Sequence, residues 1–590
     1  MNHSKSGQDI RKDNLTVYSA CFSAWTLVLT LLVIGPAWTM PGMSWPLVVL
    51  VALTLIAVGD AAWDITAQLC RSLPIRPRLP SLELASGIPD ASRTLMAVPS
   101  LVVSLAQVER LVADLELRLA GNRQHNVLAC LVIDFADAPT AELASDEVLL
   151  ARMCEAIADA NARHGGGFFL FHRKRAWNPR DGLWMGRERK RGKMEDLNSY
   201  LMGRATEGFG LAVGAAEDLG GIVYVIVLDE DTPLPPGSAL KLISMISHPA
   251  NQPIVDLGSN TVIQGHGVIQ PIPWVTVDRA RATWSQLLSS SPAAPGGDLY
   301  QDLFDEGSFY GKGIYDVKVA DRVLNRRFQD NCLLSHDLIE GAYLRSGIAY
   351  DPALQERPPT TLLSDLARRH RWTRGDWQNL RWLLPRVRDQ VGKAKKNPLS
   401  LLSRLKIVDN ARRSIIPAAY LGVLLIGASI GRRPGWPVPT VMLAVTFAST
   451  FFRFLLMSLR GDFRTMNAAF SFLPVVFLEK ILWLTYLPVT ATSQIDAIGR
   501  ALYRMTWSHR DLLEWRTSAQ AEKGPEALTR YIQTFLPSTL IVGLVLLLNG
   551  IHSRLYVEGA LLALLWAMAP LIAWRFDRRI EPHVGAAEWT

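Results

Sequence analysis

The sequence predicts an α/β domain with a mainly parallel sheet, inserted between transmembrane α-helices. Two patterns carry this reading. Between residues 127 and 228, short runs rich in β-branched and aromatic residues alternate with helical stretches, as when crossover helices join parallel strands. Long apolar runs lie on both sides of that region. Hydrophobic residues make up 49% of the 590, and the mean hydropathy is positive, which is high for a soluble protein.

The apolar runs cover residues 17–40 and 45–59 before the α/β region, and 415–430, 437–457, 535–549 and 556–574 after it. Each is taken as a membrane span, the shorter ones helped by tilt or interfacial flanks, so six spans are expected. Residues 17–40 are not read as a cleavable signal, because a second apolar run follows at once. Residues 470–490 carry Glu479-Lys480 in the middle and Pro474 and Pro488 near the ends, and are read as an interfacial or re-entrant element.

Cations flank the runs: Lys5, Arg11 and Lys12; Arg71, Arg76 and Arg78; Lys393, Lys395, Lys396, Arg412 and Arg413; Arg575, Arg578 and Arg579. The positive-inside rule then puts both termini and the α/β region in the cytoplasm, with Arg432 and Arg433 breaking it locally. These residues account for the net charge of +8 with the lipid bilayer as partner and no nucleic acid. The five cysteines form no CxxC pair and fit a reducing compartment.

The expected order is two transmembrane helices in 1–66, an amphipathic helical connector in 67–124, the cytosolic domain in 125–395, and interfacial helices with four more spans in 396–590. The connector is read as helical from Leu111, Leu115, Leu117 and Leu119 among charges. Inside the domain, strands are expected at 127–135, 168–172 and 222–228, and helices at 145–163 and 194–202. Residues 289–297, with serines, prolines and glycines, read as a flexible loop.

The last of these strands ends in Asp229-Glu230-Asp231. Alternate strand residues point the same way, so Asp229 and Asp231 can reach one ion, and hard oxygens suit Mg2+ or Mn2+. Acidic residues also end strands at solvated loops. Asp134 ends a second strand, however, and sites in parallel sheets lie beyond the carboxyl ends. Residues 184–193, from Trp184 to Lys193, put five cations in a loop before a helix, which suits a diphosphate or, alternatively, a solvated surface or anionic lipid. Gly311-Lys312-Gly313 allows close backbone approach to a ligand. In Ser335-His336-Asp337, Asp337 fits either a general base or an ordinary helix cap. Arg368-Arg369-His370-Arg371-Trp372, then Gly375-Asp376-Trp377-Gln378, suits a sugar site or a membrane interface.

In order, Asp134, Asp229-Glu230-Asp231, Ser335-His336-Asp337 and Arg368–Trp372 resemble the motif series of membrane-bound processive glycosyltransferases. A closer resemblance is to glycosyltransferase family 84, the transferase domain of cyclic β-1,2-glucan synthases. It is carried by Phe171-His172-Arg173, Trp177-Asn178-Pro179, Trp184-Met185-Gly186, Gln301-Asp302-Leu303-Phe304, Gly311–Asp316, Leu334–Asp337 and Arg369–Gln378. It implies a GT-A-like fold, UDP-glucose as donor, a divalent Mg2+ or Mn2+, inversion, and a multi-pass protein of the bacterial inner membrane. It implies that Asp134 meets the nucleotide base, that Arg189, Lys193, Arg368 and Arg371 serve the donor, and that Asp229 and Asp231 hold diphosphate and metal. Asp337 is then the base, and Lys312, Tyr315, Trp372 and Trp377 meet the acceptor. His336 stands where the broader group has Glu. Glycosidase- and phosphorylase-like regions of complete cyclic synthases have no counterpart in these 590 residues, which implies a linear β-1,2-glucan or separate cyclising partners. The competing readings are transfer of single sugars to a lipid or protein, and a non-catalytic subunit of a synthase complex.

Overall fold

A computed structural model describes residues 7–35, 45–70, 78–85, 87–275, 283, 285–286, 298–356, 358–430, 438–459, 461, 470, 473–514, 526–550 and 557–578. Helix α1 (Gly7–Ile34) is followed by α2 (Trp45–Ala57) and α3 (Gly59–Cys70). The α/β domain then begins with β1 (Thr94–Val102), α4 (Leu105–Asn122), β2 (Val127–Phe135), α5 (Ala144–His164) and β3 (Phe168–Arg173). A short hairpin of β4 (Ala176–Asn178) and β5 (Leu183–Met185) leads to α6 (Arg189–Leu201), β6 (Phe209–Val213), β7 (Tyr224–Val227) and α7 (Ser238–Ile246). A second hairpin, β8 (Ile254–Asp256) and β9 (Thr261–Gln264), precedes β10 (Val268–Val275), β11 (Gly313–Asp316) and β12 (Gly347–Glu356).

Eight strands form one sheet in the order β12-β10-β11-β7-β1-β2-β3-β6. Its centre, β7-β1-β2-β3, is parallel, and β6 and β11 run antiparallel to their neighbours. One face carries the apolar side of α4, α5 and α7; the other is covered by α6 and the helices Val317–Leu324 and Asp337–Leu344. Strands buried on both faces read as continuous apolar runs, which is why β2 and β7 were legible.

The central strand β1 lies inside the stretch expected to be a helical connector, so the domain begins before residue 94 rather than at 125. Pro99 masks it in the sequence, because proline argues against a central strand. Here Pro99 falls beyond Ala97, where β1 stops pairing with β7 and continues only along β2. The leucine stripe assigned to the connector belongs to α4, whose Ser104 caps the helix by accepting from the Gln107 N–H at 3.3 Å. Helix α6 begins at Arg189, so the last cations of the basic segment stand on its first turns and not in a loop.

Fewer than six spans are found among the described residues. Among the described residues, two helical stretches are long and apolar enough to cross a membrane, Asp13–Ile34 and Leu47–Cys70, or up to four if each of two bent pairs counts once. The expected span at 437–457 is the pair Val438–Val445 and Ala448–Leu459, bent by 50°. The one at 415–430 is the far half of helix Leu401–Ile430, whose first turns carry Arg404, Lys406, Asp409, Arg412 and Arg413 and leave too little apolar length. Helices Leu528–Gly550 and Val557–Phe576 each contain an internal proline. The element read as interfacial or re-entrant is a second bent pair, Leu473–Thr485 and Leu487–Ser508, at 58°, with Pro488 just after the break. Residues from α1, α2 and α3, from Leu401–Ile430 and from the later helices share one apolar cluster. Lys5, Arg71, Arg76, Arg432, Arg433, Arg579 and the loop at 289–297 lie outside the described residues.

Leu115 on α4 is fully buried between that helix and the sheet. Leu115→Ala is expected to cost about 2–5 kcal/mol, read as a lowered melting temperature of the detergent-solubilised protein.

Candidate functional site

Strand β7 is buried throughout and delivers the chain to Leu228, whose N–H donates to the Ala97 carbonyl. The acidic residues that follow sit on a turn, closed by the Thr232 N–H donating to the Asp229 carbonyl at 3.1 Å, and not on the strand itself. Strand alternation therefore does not orient them. Glu230 turns toward Gln107 (3.3 Å) and Arg110 (3.7 Å) on α4, while Asp231 is exposed.

The turn is held from below by Arg118 of α4, which is 5% exposed. Its Nη2 donates to the Glu230 carbonyl at 2.6 Å and the Asp229 carbonyl at 3.4 Å, and its Nε donates to the Thr232 carbonyl at 3.1 Å. Sequence reasoning missed this residue. The signal was present: Leu111, Leu115 and Arg118 follow the helical period, so Arg118 is a cation inside an apolar stripe.

Two lysines meet Asp229. Lys190 Nζ lies 2.5 Å from Oδ1 and also donates to the Gly311 carbonyl at 2.7 Å. Lys312 Nζ lies 3.4 Å from Oδ2 and 2.7 Å from Glu356 Oε1. Burial disfavours the charged carboxylate, but Lys190 and Lys312 outweigh it and hold Asp229 at about 2. Burial also opposes the charge on Lys312, yet Asp229 and Glu356 raise its pKa. Gly311 adopts φ +84°, and a side chain there would come within 2.5 Å of Asp337 Oδ1. The glycine loop thus joins the acidic turn to the candidate base.

Asp337 is the first residue of helix Asp337–Leu344. The capping position is His336, and it makes no side-chain cap bond. His336 Nδ1 instead lies 3.0 Å from Glu340 Oε2 and 3.3 Å from Asp337 Oδ1. Ligand atoms of His336, Asp337 and Glu340 all fall within 4.8 Å of one another. Lys190, Gly311, Tyr315, His336, Asp337 and Glu340 line one cleft, with Val227, Val268 and Phe309 among its apolar walls.

Helix Leu362–Asn379 carries the arginine–tryptophan residues and sets Arg371 near Asp229 and Asp337. Burial lowers the pKa of Arg371, opposed by the nearby charges of Asp229 and Asp337. Arg368 pairs with Asp365 at 2.8 Å and stacks over Trp372 at 4.6 Å, leaving Trp372 47% exposed. The end of the helix holds the base segment. A side chain at Gly375 would meet Ser335 Oγ at 1.9 Å, and Gln378 Oε1 accepts from the Leu334 N–H at 2.8 Å.

The structure therefore brings Asp229, Lys312, Arg371 and Asp337 together and adds Lys190. Others stand apart. Asp134 and Lys193 are buried, Lys193 Nζ lying 2.7 Å from Asp134 Oδ1 and Arg173 Nη2 lying 2.7 Å from Oδ2. Arg189 forms a two-point pair with Asp137 at 2.6 and 2.7 Å. Of the five cations in the basic segment, Arg187 and Arg191 also pair internally with acidic neighbours, and Lys190 alone of the five pairs with the acidic turn. Tyr315, by contrast, lines the cleft, its hydroxyl donating to Asn198 Oδ1 at 2.8 Å, whereas Trp377 donates to Ser414 Oγ at 2.9 Å on helix Leu401–Ile430. Asp229 and Asp231 carry hard oxygen donors of the type a divalent cation takes, and the Asp229 carboxylate is engaged by lysine.

Fold and site together define an α/β domain with a charged cleft, built around an acidic turn and a carboxylate-headed helix, and packed against membrane-type helices. No family model matches the chain. It is 33% identical over 531 residues, 85% of its length, to the cyclic β-(1,2)-glucan synthase NdvB of Rhizobium meliloti (strain 1021), of which it spans 18%. It also matches the mannosyltransferase PcManGT from Pyrobaculum calidifontis, solved in complex with GDP-Man and Mn2+, at 13% identity, covering 78% of this chain and 98% of that one. The TM-score is 0.35.

Two outcomes follow for the site's surroundings. Asp134→Asn leaves Lys193 buried without its paired carboxylate and removes one of the two that Arg173 has, Asp196 being the other, and is expected to cost about 3–5 kcal/mol in thermal unfolding. Burial pushes the Asp376 carboxyl up to about 7, with Asn410 donating to it at 3.3 Å. Its unfolded value is about 4, so the folded state binds the extra proton and stability from this group falls as pH rises from about 4 to 7. Asp376→Asn should therefore raise the melting temperature more at pH 8 than at pH 5.

Proposed function

We propose that the chain is an inverting, processive glucosyltransferase that polymerises glucose from UDP-glucose into β-1,2-glucan and passes the polymer across the bacterial inner membrane. The observation that supports it most is the grouping of Lys312 and Arg371 about Asp229, with Asp337 against the same glycine loop, beyond the carboxyl edge of a parallel sheet, in a chain similar to a cyclic β-(1,2)-glucan synthase. The product is linear, or is closed into a ring by separate glycosidase- or phosphorylase-type proteins.

Asp337 takes the proton of the acceptor hydroxyl as that oxygen attacks the anomeric carbon. The new C–O bond forms opposite the bond to UDP, whose leaving oxygen keeps the electron pair. Lys190, Lys312 and Arg371 offset the charge that builds on the diphosphate. Trp372, with one face under Arg368, offers its other face to the acceptor sugar. Asp229 and Asp231 are the residues to hold Mg2+ or Mn2+, which supplies further neutralisation of the diphosphate.

Purified protein given UDP-glucose and Mn2+ should release UDP and form β-1,2-linked polymer, with Asp337→Asn slower by about 10²–10⁴-fold. Absence of UDP release from the wild type sinks the enzyme reading. Single glucose units on lipid or protein, without polymer, sink processivity, and linkage analysis decides the bond.

A further inference from the structure

We propose that Lys190 and Lys312 are the counter-ions that Asp229 exchanges for a divalent cation, and that the two ammoniums so released serve the donor diphosphate. This rests on the metal site of the function proposed above. Each oxygen of Asp229 faces a different lysine, Oδ1 to Lys190 at 2.5 Å and Oδ2 to Lys312 at 3.4 Å. The lysines come from separate elements, the first turn of α6 and the glycine loop before β11.

Each lysine also has a second anchor. Lys190 holds the Gly311 carbonyl at 2.7 Å, and Lys312 holds Glu356 at 2.7 Å. Releasing Asp229 therefore does not set either ammonium adrift. Both stay tethered beside the acidic turn, where a diphosphate held by the cation would meet them.

The charges favour joint arrival. Asp229 is already neutralised, so a cation coming alone must displace ammoniums that then repel it at short range. A nucleoside diphosphate group, carrying about two negative charges, removes that repulsion by taking up the freed ammoniums. Cation and diphosphate together change the net charge of the site little. They should bind synergistically, and the lysines should be the source of the synergy.

The test uses the full chain in detergent and Mn2+ binding followed by electron paramagnetic resonance, with and without UDP. Wild type should bind Mn2+ weakly alone and more tightly with UDP. Lys190→Met and Lys312→Met should bind Mn2+ alone more tightly, by about 5-fold or more, and should lose most of the gain that UDP brings. Lys190→Arg, which keeps the charge, should resemble wild type. Melting temperatures check that each variant folds, and either methionine variant suffices if the other does not. Mn2+ affinity that is abolished by Asp231→Asn but unchanged or weakened in the methionine variants overturns this exchange and leaves the metal site standing. No Mn2+ binding by wild type or any variant, with or without UDP, overturns both.

Discussion

The site depends on one buried guanidinium. A turn that carries three acidic residues past the end of an inner strand gathers negative charge and unpaired carbonyls at the same place. Arg118 answers both, because its planar fork reaches the carbonyls of Asp229, Glu230 and Thr232 from the sheet side. The carboxylates are then free to point away from the sheet. Burial lowers the pKa of Arg118, while Asp114, Asp231, Glu230 and Asp229 favour its charged form. The cation is thus placed where the surrounding carboxylates support it, and the turn in exchange gains a rigid floor.

A second constraint is how charge is divided. The basic segment looks from its composition like a diphosphate-binding surface, yet most of it is used internally. Lys193 and Arg173 secure Asp134, Arg187 and Arg191 secure acidic residues of α6 and its surroundings, and Arg189 secures Asp137. These buried and half-buried pairs fix the start of α6 against the carboxyl ends of β1 and β2, where Lys193 also donates to the Ser100 carbonyl at 2.7 Å. Lys190, inside the same run, is the one that faces the acidic turn. Spacing alone does not separate these roles, since adjacent helical residues point about 100° apart and only the packed neighbours decide which face is inward.

This sets what was legible beforehand. Strands β2 and β3 and helix α5 could be read almost to the residue, and β7 lies inside the run expected at 222–228, because strands buried on both faces are largely apolar and α5 is bounded by Gly165 in the left-handed conformation. β1 was hidden by Pro99, and among the described residues two to four helices, rather than six, are long and apolar enough to cross a membrane, since apolar runs say nothing about bends such as the one between Val445 and Ala448. Asp229, Arg371 and Asp337 were singled out through motif order and Lys312 through its flanking glycines, and the structure groups them. Arg118 and Glu356 were not read, and Lys190 was read only as one of five cations, since each gains its contacts from a partner distant in the chain. The Gly375-Asp376-Trp377-Gln378 string, read as part of a sugar site, proves to include the residues that brace Ser335 and Leu334 from behind.

That brace also binds the helix Leu362–Asn379 to the membrane side. His370 meets Asp496 at 2.9 Å, Arg374 meets Glu514 at 3.1 Å, Gln378 donates to the Leu512 carbonyl at 3.0 Å, and Trp377 donates to Ser414. The cleft is consequently not a module that can be cut free. A chain truncated after Glu356 retains the acidic turn and Asp337 and loses every residue that holds Ser335 in place from behind; one truncated after Asn379 keeps the helix but strips it of its partners. Domain boundaries drawn by composition, soluble on one side and lipid-facing on the other, run through the middle of this mechanical unit.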